Sequence, residues 1–249
     1  ESDLFQGLES EGRRHRFGGD RSPGQSITQR GFGAVASAIA NPGSAGRRRV
    51  VNILFAMMVV ATPPTDRAHS QGSVSNGVLK DGVAMPLDGP HHRFTYTVRK
   101  KGSNYGTQAM VALLNRAAGT VGQLVPGPPM VLGSISRCGG GHMMPHKSHQ
   151  SGRDVDILFY VFDANGKRKA AHSFVKFDES GACISGKRCR GVRFDVQRNW
   201  WLVRTLLWSK RPQVQYIFVS NGLKNSLLAY ARSRGEHPEI LKRAQRVLR

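Results

Sequence analysis

Apolar positions recur at two different spacings along this chain, and the switch from one to the other marks its elements. In RFTYTV, from Arg93, the residues Phe94, Tyr96 and Val98 stand two apart, the spacing of one strand face. Thr107 to Ala118 carries Met110, Val111, Leu113, Leu114 and Ala117, a stripe at helical spacing. Met130 to Ile135 is a short apolar run that leads into the glycines Gly139 to Gly141 and reads as a strand. A further strand is predicted over Asp154 to Phe162. Its parity places Val155, Ile157, Phe159 and Val161 on one face and Asp154 and Asp156 on the other. The apolar face can enter a core while the carboxylates face a cleft. Asp163-Ala164-Asn165-Gly166 is a turn centred on Asn-Gly, and His172 to Phe177 is the next candidate strand.

The second half reads as more helical. Asp195 is a good N-cap for VQRNWWLVRTLLWS, whose buried stripe is Val196, Trp200, Val203 and Leu207. Trp201 and Trp208 are read as packing residues. Val214 to Val219 is a strand, Leu223 to Ser233 a helix closed near Gly235, and Pro238 stands at the start of a last helix, Glu239 to Leu248. Strands mixed with helices, without regular βαβ spacing, predict an α+β fold: a small central antiparallel sheet with flanking helices.

The N-terminal part lacks this periodicity. Residues 1–46 are rich in Gly, Arg and Ser and are expected to be disordered. Arg47-Arg48-Arg49 then precedes the twelve-residue apolar run Val50 to Ala61. A basic stretch before so short a run fits a secretory signal over residues 47–70, with small residues near Ala68-His69-Ser70 as an exit. It is too short for a comfortable membrane span, so no stable membrane anchor is expected. Residues 71–90 read as a linker, and 91–249 as the folded domain.

Charge changes the picture more than composition does. The 249 residues hold 37 Lys+Arg against 16 Asp+Glu, a formal net charge of +21. Such a surface attracts a polyanion, either nucleic acid or a cell wall with its carboxylates. No helix-turn-helix, zinc-finger or RNP signature accompanies the charge, and the basic residues are scattered. Of the three cysteines, Cys183 and Cys189 bracket a short Gly/Lys/Arg loop and can close a disulfide in an oxidising compartment. Three free thiols, or pairing outside the chain, are the alternatives.

Candidate chemistry concentrates in SHQSGRDVD, Ser148 to Asp156. His149 and Asp156 stand seven apart, with Gly152 between them to allow a tight turn. Imidazole nitrogen and carboxylate oxygen both suit Zn²⁺. His142, His146 and His149 fall close together just before the carboxylates, which raises the density of possible ligands.

PHKSHQSGRDVDI resembles the metal motif of the penicillin-insensitive murein endopeptidases, a branch of the lysostaphin/D-Ala-D-Ala metallopeptidase group. The group's spacing of His, Gly three later and Asp seven later is met by His149, Gly152 and Asp156. Further similarity lies in NYGTQAMVALLNR, VLGSIS, RNWWLVRTLL and YIFVSNGLKNSLL, so it covers roughly residues 90 to 248. The resemblance implies a Zn²⁺ cleft on one sheet face and hydrolysis of the D-Ala–meso-diaminopimelate cross-link of peptidoglycan in the periplasm. By resemblance His149 and Asp156 hold the metal, and His146 binds metal or orients substrate. Asp154 supports a ligand from behind, and Gln150 and Arg153 line the cleft.

The family's third ligand and catalytic His come from a His-x-His motif, and no such motif occurs in these 249 residues. The expectation is a chain cut before that motif, with the catalytic base left unassigned. Three rival functions stay open: a non-catalytic peptidoglycan-binding relative, a D,D-carboxypeptidase and, suggested by charge alone, a nucleic-acid-binding protein. Peptidoglycan is the expected partner and nucleic acid is not; the oligomeric state is left open.

Overall fold

The computed structural model describes residues 69–249. The predicted disordered extension, and the signal-like segment up to residue 68, lie outside the described residues. Strands β1 (His69–Gly72) and β2 (Gly77–Lys80) form an antiparallel hairpin, and β3 (Val83–Ala84) pairs antiparallel with β5 (Tyr105–Gly106). Residues 71–90 are therefore part of the fold and not a linker. Only isolated positions such as Leu79 and Met85 are fully buried there, too few to give the sequence a period.

Strand β4 is His92–Phe94, and the alternation read beyond it is not a strand. Thr95 stands at the N-cap position, without a side-chain capping bond, of helix α1, Tyr96–Lys101, which buries Val98, leaves Tyr96 exposed and closes on Gly102 in the left-handed region, φ 61°. The basic run Arg99-Lys100-Lys101 sits in the last turn, where the helix dipole favours it. His92 is buried, with a ring nitrogen donating to the Pro86 carbonyl at 2.9 Å. Helix α2, Gln108–Leu124, begins where the sequence placed it and runs farther. The Thr107 hydroxyl accepts from Met110 N–H, and Val111, Leu113, Leu114, Ala117, Ala118 and Val121 are buried. Strand β6, Met130–Leu132, lies parallel to β4, with His92 opposite Met130 and Phe94 opposite Leu132.

The expected strand over Asp154 to Phe162 is mostly extended chain. It runs antiparallel to β6 through Gly133 N–H to Asp156 O (2.7 Å), Asp156 N–H to Ser134 O (3.0 Å) and Leu158 N–H to Val131 O (2.9 Å). Regular pairing begins at β7, Val161–Phe162, which is flanked by β8 (Arg168–Lys169) and β9 (Arg193–Phe194) in one antiparallel sheet. The single apolar face also needs correction. Leu158 and Tyr160, on the carboxylate parity, are buried because the segment lies between two cores. Val155, Ile157 and Tyr160 pack on the first, with α2; Phe159 and Val161 pack on the second. The turn at Asp163 forms as read, its carboxylate accepting from Asn165 and Lys167 N–H. His172 to Phe177 is not a strand. Phe177 forms one bridge with Cys183, which is disulfide-bonded to Cys189 across a short 3₁₀ turn, Lys187–Cys189. Cys138 is free and exposed.

Three helices complete the described residues: α3 (Val196–Trp208), α4 (Asn221–Ser233) and α5 (Pro238–Val247). Residues 214–219 are extended, and Ile217 and Val219 donate to the carbonyls of Val247 and Arg249. No helix among the described residues is long and apolar enough to cross a membrane. Among the described residues the architecture is α+β with five α-helices, but the expected central sheet is divided into four small ones, and the β4–β6 pair is parallel. Strands of two to four residues give too few ladder bonds for one continuous sheet, so the helices and the two cores carry the fold.

Asp195 joins these parts. Its carboxylate accepts from Arg198 N–H at 3.0 Å as the α3 cap and pairs with Arg168 Nε at 2.9 Å. Four residues on, the Asn199 side chain brackets Tyr160, accepting from its N–H (3.1 Å) and donating to its carbonyl (2.8 Å). Helix α3 thereby fixes the segment that begins at Asp156. Asp195→Ala removes a cap and half of a mostly buried ion pair. Because Arg168 is 29% exposed, we expect a loss of about 3 kcal/mol, measured by urea denaturation. Asp195→Asn, which retains a capping oxygen, is expected to lose about half as much.

Candidate metal centre

The loop between Gly139 and Asp156 is folded back on the β1–β2 hairpin by backbone bonds. Leu79 N–H donates to Gly139 O, Gln150 N–H to Val74 O, and Gly141 N–H to Gln150 O. Gly140 is needed at that crossing: a Cβ there would fall 2.2 Å from the Gln150 carbonyl oxygen. Inside the loop the chain turns through two left-handed residues, His149 (φ 66°) and Gly152 (φ 66°). Glycine adopts this freely, but histidine does so at a cost, and a strained non-glycine residue held by its surroundings is a mark of functional sites. His149 is held from several sides. Ser136 Oγ donates to its carbonyl at 2.6 Å, and its own N–H donates to Asp154 Oδ2 at 3.0 Å.

These constraints aim the imidazole between two carboxylates. His149 Nε2 lies 3.2 Å from Asp156 Oδ2, and Nδ1 lies 3.0 Å from Asp154 Oδ2. The Nδ1 contact is a charge contact outside hydrogen-bond geometry, and the same oxygen accepts from the backbone N–H of His149. His146 closes the group, its ring edge-on to His149 at 5.2 Å between centroids. One nitrogen each of His146 and His149 and one oxygen of Asp156 all lie within 4.8 Å of one another, a possible metal-binding triad. Burial alone would lower the His149 pKa, but the Asp156 and Asp154 carboxylates outweigh it and raise the imidazole above its ordinary value. Burial likewise raises Asp154, and the His149 charge offsets this only in part. A metal at this triad would take the place of a proton on His149, whose binding the two carboxylates favour.

The donor set fits a divalent metal. Two imidazoles and a carboxylate are borderline ligands of the right number, and Asp154 behind Nδ1 leaves Nε2 to face the ion. Asp156 is carried there by β6. Gly133 N–H holds its carbonyl, and a Cβ on Gly133 would come within 2.7 Å of the Asp156 Cβ.

Not every expected residue joins the group. Gln150 does not line an open cleft: it is buried, its backbone is used by the hairpin, and its amide donates to Lys147 O at 3.3 Å. Arg153 is exposed but turned to the hairpin, where it donates to the Gly72 carbonyl and, at 3.3 Å, to Ser151 Oγ. Both brace the loop. His142 and His172 are exposed and outside the triad, and His237 caps α5 through Nδ1. Ser136 was missed. The alternation of Ser134 and Ser136 in VLGSIS was its only signal, since a serine's partner across the loop has no sequence signature.

A family profile described as penicillin-insensitive murein endopeptidase matches residues 70–243 of this chain. The chain belongs to the penicillin-insensitive murein endopeptidase family. A relative with that name from Haemophilus influenzae is 27% identical over 191 residues, covering 72% of this chain and 64% of that protein. Relatives of the same name from Escherichia coli and Shigella boydii are 29% identical over 102 residues, 41% of this chain and 36% of theirs. The chain thus spans less than two thirds of the length of these murein endopeptidases. The match begins in β1, so the family domain includes the stretch that reads as a linker.

Two substitutions test how the loop positions the triad. Asp154→Asn removes the charge behind His149 with little change in shape, and divalent-metal affinity is expected to fall about 10–100-fold by calorimetric titration. Gly133→Ala is expected to cost roughly 1–3 kcal/mol in urea denaturation and to weaken metal binding as well, because the added methyl displaces Asp156.

Proposed function

We propose that this protein is a Zn²⁺-dependent murein D,D-endopeptidase that hydrolyses the D-Ala–meso-diaminopimelate cross-link of peptidoglycan. The observation that carries the proposal is the convergence of His146, His149 and Asp156 on one point, with Asp154 behind His149. Family membership supports murein as the substrate class. The basic-then-apolar order of residues 47–61 supports export, so the periplasm is the proposed location. The disulfide between Cys183 and Cys189 is consistent with an oxidising compartment.

His149, Asp156 and His146 would hold the metal as three protein ligands, the number found in zinc sites that leave a fourth position to water or substrate. When bound, Zn²⁺ supplies a water of lowered pKa and polarises the scissile carbonyl. The chain's own residues supply position. Asp154 orients the His149 ring, Ser136 fixes its backbone, and the Gly133–Asp156 bond sets the carboxylate. The buried face of His149 admits little water, which strengthens its interaction with both carboxylates.

Metal analysis of the purified chain, together with digestion of cross-linked muropeptide dimers, tests the proposal. We expect Zn²⁺ to bind at one site. His149→Ala and Asp156→Ala should each lower affinity by at least about a hundredfold, and His146→Ala by about tenfold or more. Conversion of dimers to monomers, abolished by His149→Ala, is the expected product pattern for the protein carrying the family's His-x-His, whereas the 249 residues without that motif are expected to turn over little or nothing. Release of free D-Ala with dimers left intact would make the enzyme a carboxypeptidase, and wild-type zinc affinity in His149→Ala would overturn the site.

A further inference from the structure

Helices α2 and α3 leave a concave surface whose lining includes none of the triad residues. Arg116 and Thr120 of α2, Arg204 and Trp208 of α3, and the following Lys210 and Arg211 line an open cleft of about 450 Å³. Trp208 continues the apolar sequence of α3, yet it is 64% exposed. An indole exposed at the rim of a cleft offers an aromatic face on which a ligand ring can stack. This indole has a fixed neighbour. The Arg204 guanidinium lies 5.4 Å from the Trp208 ring and 5.2 Å from the Trp201 ring, and Glu236 holds its Nε at 2.6 Å.

Glu236 is thereby used up by Arg204. Among the described residues, Arg116, Lys210 and Arg211 pair with no carboxylate; Arg116 makes only a 3.4 Å bond to Ser209 Oγ. Three cations around an exposed indole suit a ligand with a ring to stack and acids close by. Guanidinium groups in particular recognise carboxylates through paired hydrogen bonds.

The cleft's place in the fold narrows the choice. Thr107, at the start of α2, donates its N–H to Gly152 O in the metal-site loop at 3.1 Å. From there Arg116 and Thr120 lie about 14 and 20 Å along the helix, at 1.5 Å per residue. That span is short against the length of a polymer engaged at the triad.

We infer that the α2–α3 cleft binds peptidoglycan through residues outside the metal triad: Trp208 stacks on a sugar ring of the glycan strand, and Arg116, Lys210 and Arg211 pair with carboxylates of its stem peptides. The inference rests on the peptidoglycan reading of the triad and extends it to a second contact. Bases and phosphates would satisfy the same side chains, so a nucleic acid is the competing ligand.

The test is co-sedimentation of the full chain with purified insoluble peptidoglycan, with a single-stranded DNA oligonucleotide as competitor. Trp208→Ala and the double variant Lys210→Ser/Arg211→Ser are each expected to weaken binding about tenfold, and the double variant to lessen its salt dependence. The double variant Lys167→Ser/Lys169→Ser, at exposed lysines outside both the cleft and the triad, removes the same charge and is expected to sediment like the unaltered chain. If both cleft variants bind peptidoglycan as the unaltered chain does, the cleft assignment falls and the peptidoglycan reading stands. If the unaltered chain does not bind peptidoglycan, both fall. DNA bound more tightly than peptidoglycan, and lost in the same variants, would make the cleft a nucleic-acid site and overturn the inference.

Discussion

Everything at the candidate centre depends on one imidazole held between two carboxylates. His149 reaches Asp156 through Nε2 at 3.2 Å and Asp154 through Nδ1 at 3.0 Å, and it does so from a left-handed backbone position that histidine seldom takes. The strain persists because Ser136, Asp154 and the hairpin contacts of Gln150 fix the chain on both sides of it. A ring set this way can bind a metal with little further loss of freedom, which is the advantage of a preformed site.

The rest of the fold can be understood as support for that ring. Strand β6 carries Asp156 through Gly133, and α3 holds the same segment farther on through Asn199 and Tyr160. Helix α2 meets the loop at Gly152, while the β1–β2 hairpin packs against it through Leu79 and Val74. None of these elements is large, and the strands are too short to stabilise one another by pairing alone. Two apolar cores on either side of the 155–161 segment give it rigidity, which explains why both of its faces are buried.

The sequence revealed the chemistry more fully than the topology. Spacing, histidine density and the family resemblance together singled out His149, Asp156 and His146, and the structure brings these three together. Helices α2 to α5 were legible from their apolar stripes, helped by Asp195 as the cap of α3 and Pro238 in the first turn of α5. Tyr96 misled because an exposed aromatic two residues from Phe94 imitates strand alternation, whereas a short helix with Thr95 at its N-cap position uses the same residues. The first hairpin was hidden for the opposite reason: its burial falls on single residues, Leu79 and Met85, with no period between them. Gln150 and Arg153 are adjacent to the ligands in sequence, yet their side chains serve the loop's own hydrogen bonds, and motif spacing does not report side-chain direction.

The most direct test of the centre is X-ray absorption at the zinc edge on the zinc-loaded chain. The account predicts a nearest shell of nitrogen and oxygen at about 2.0–2.2 Å, with outer scattering from two imidazoles and none from sulfur. A shell containing sulfur near 2.3 Å, or one with no imidazole scattering, would contradict it.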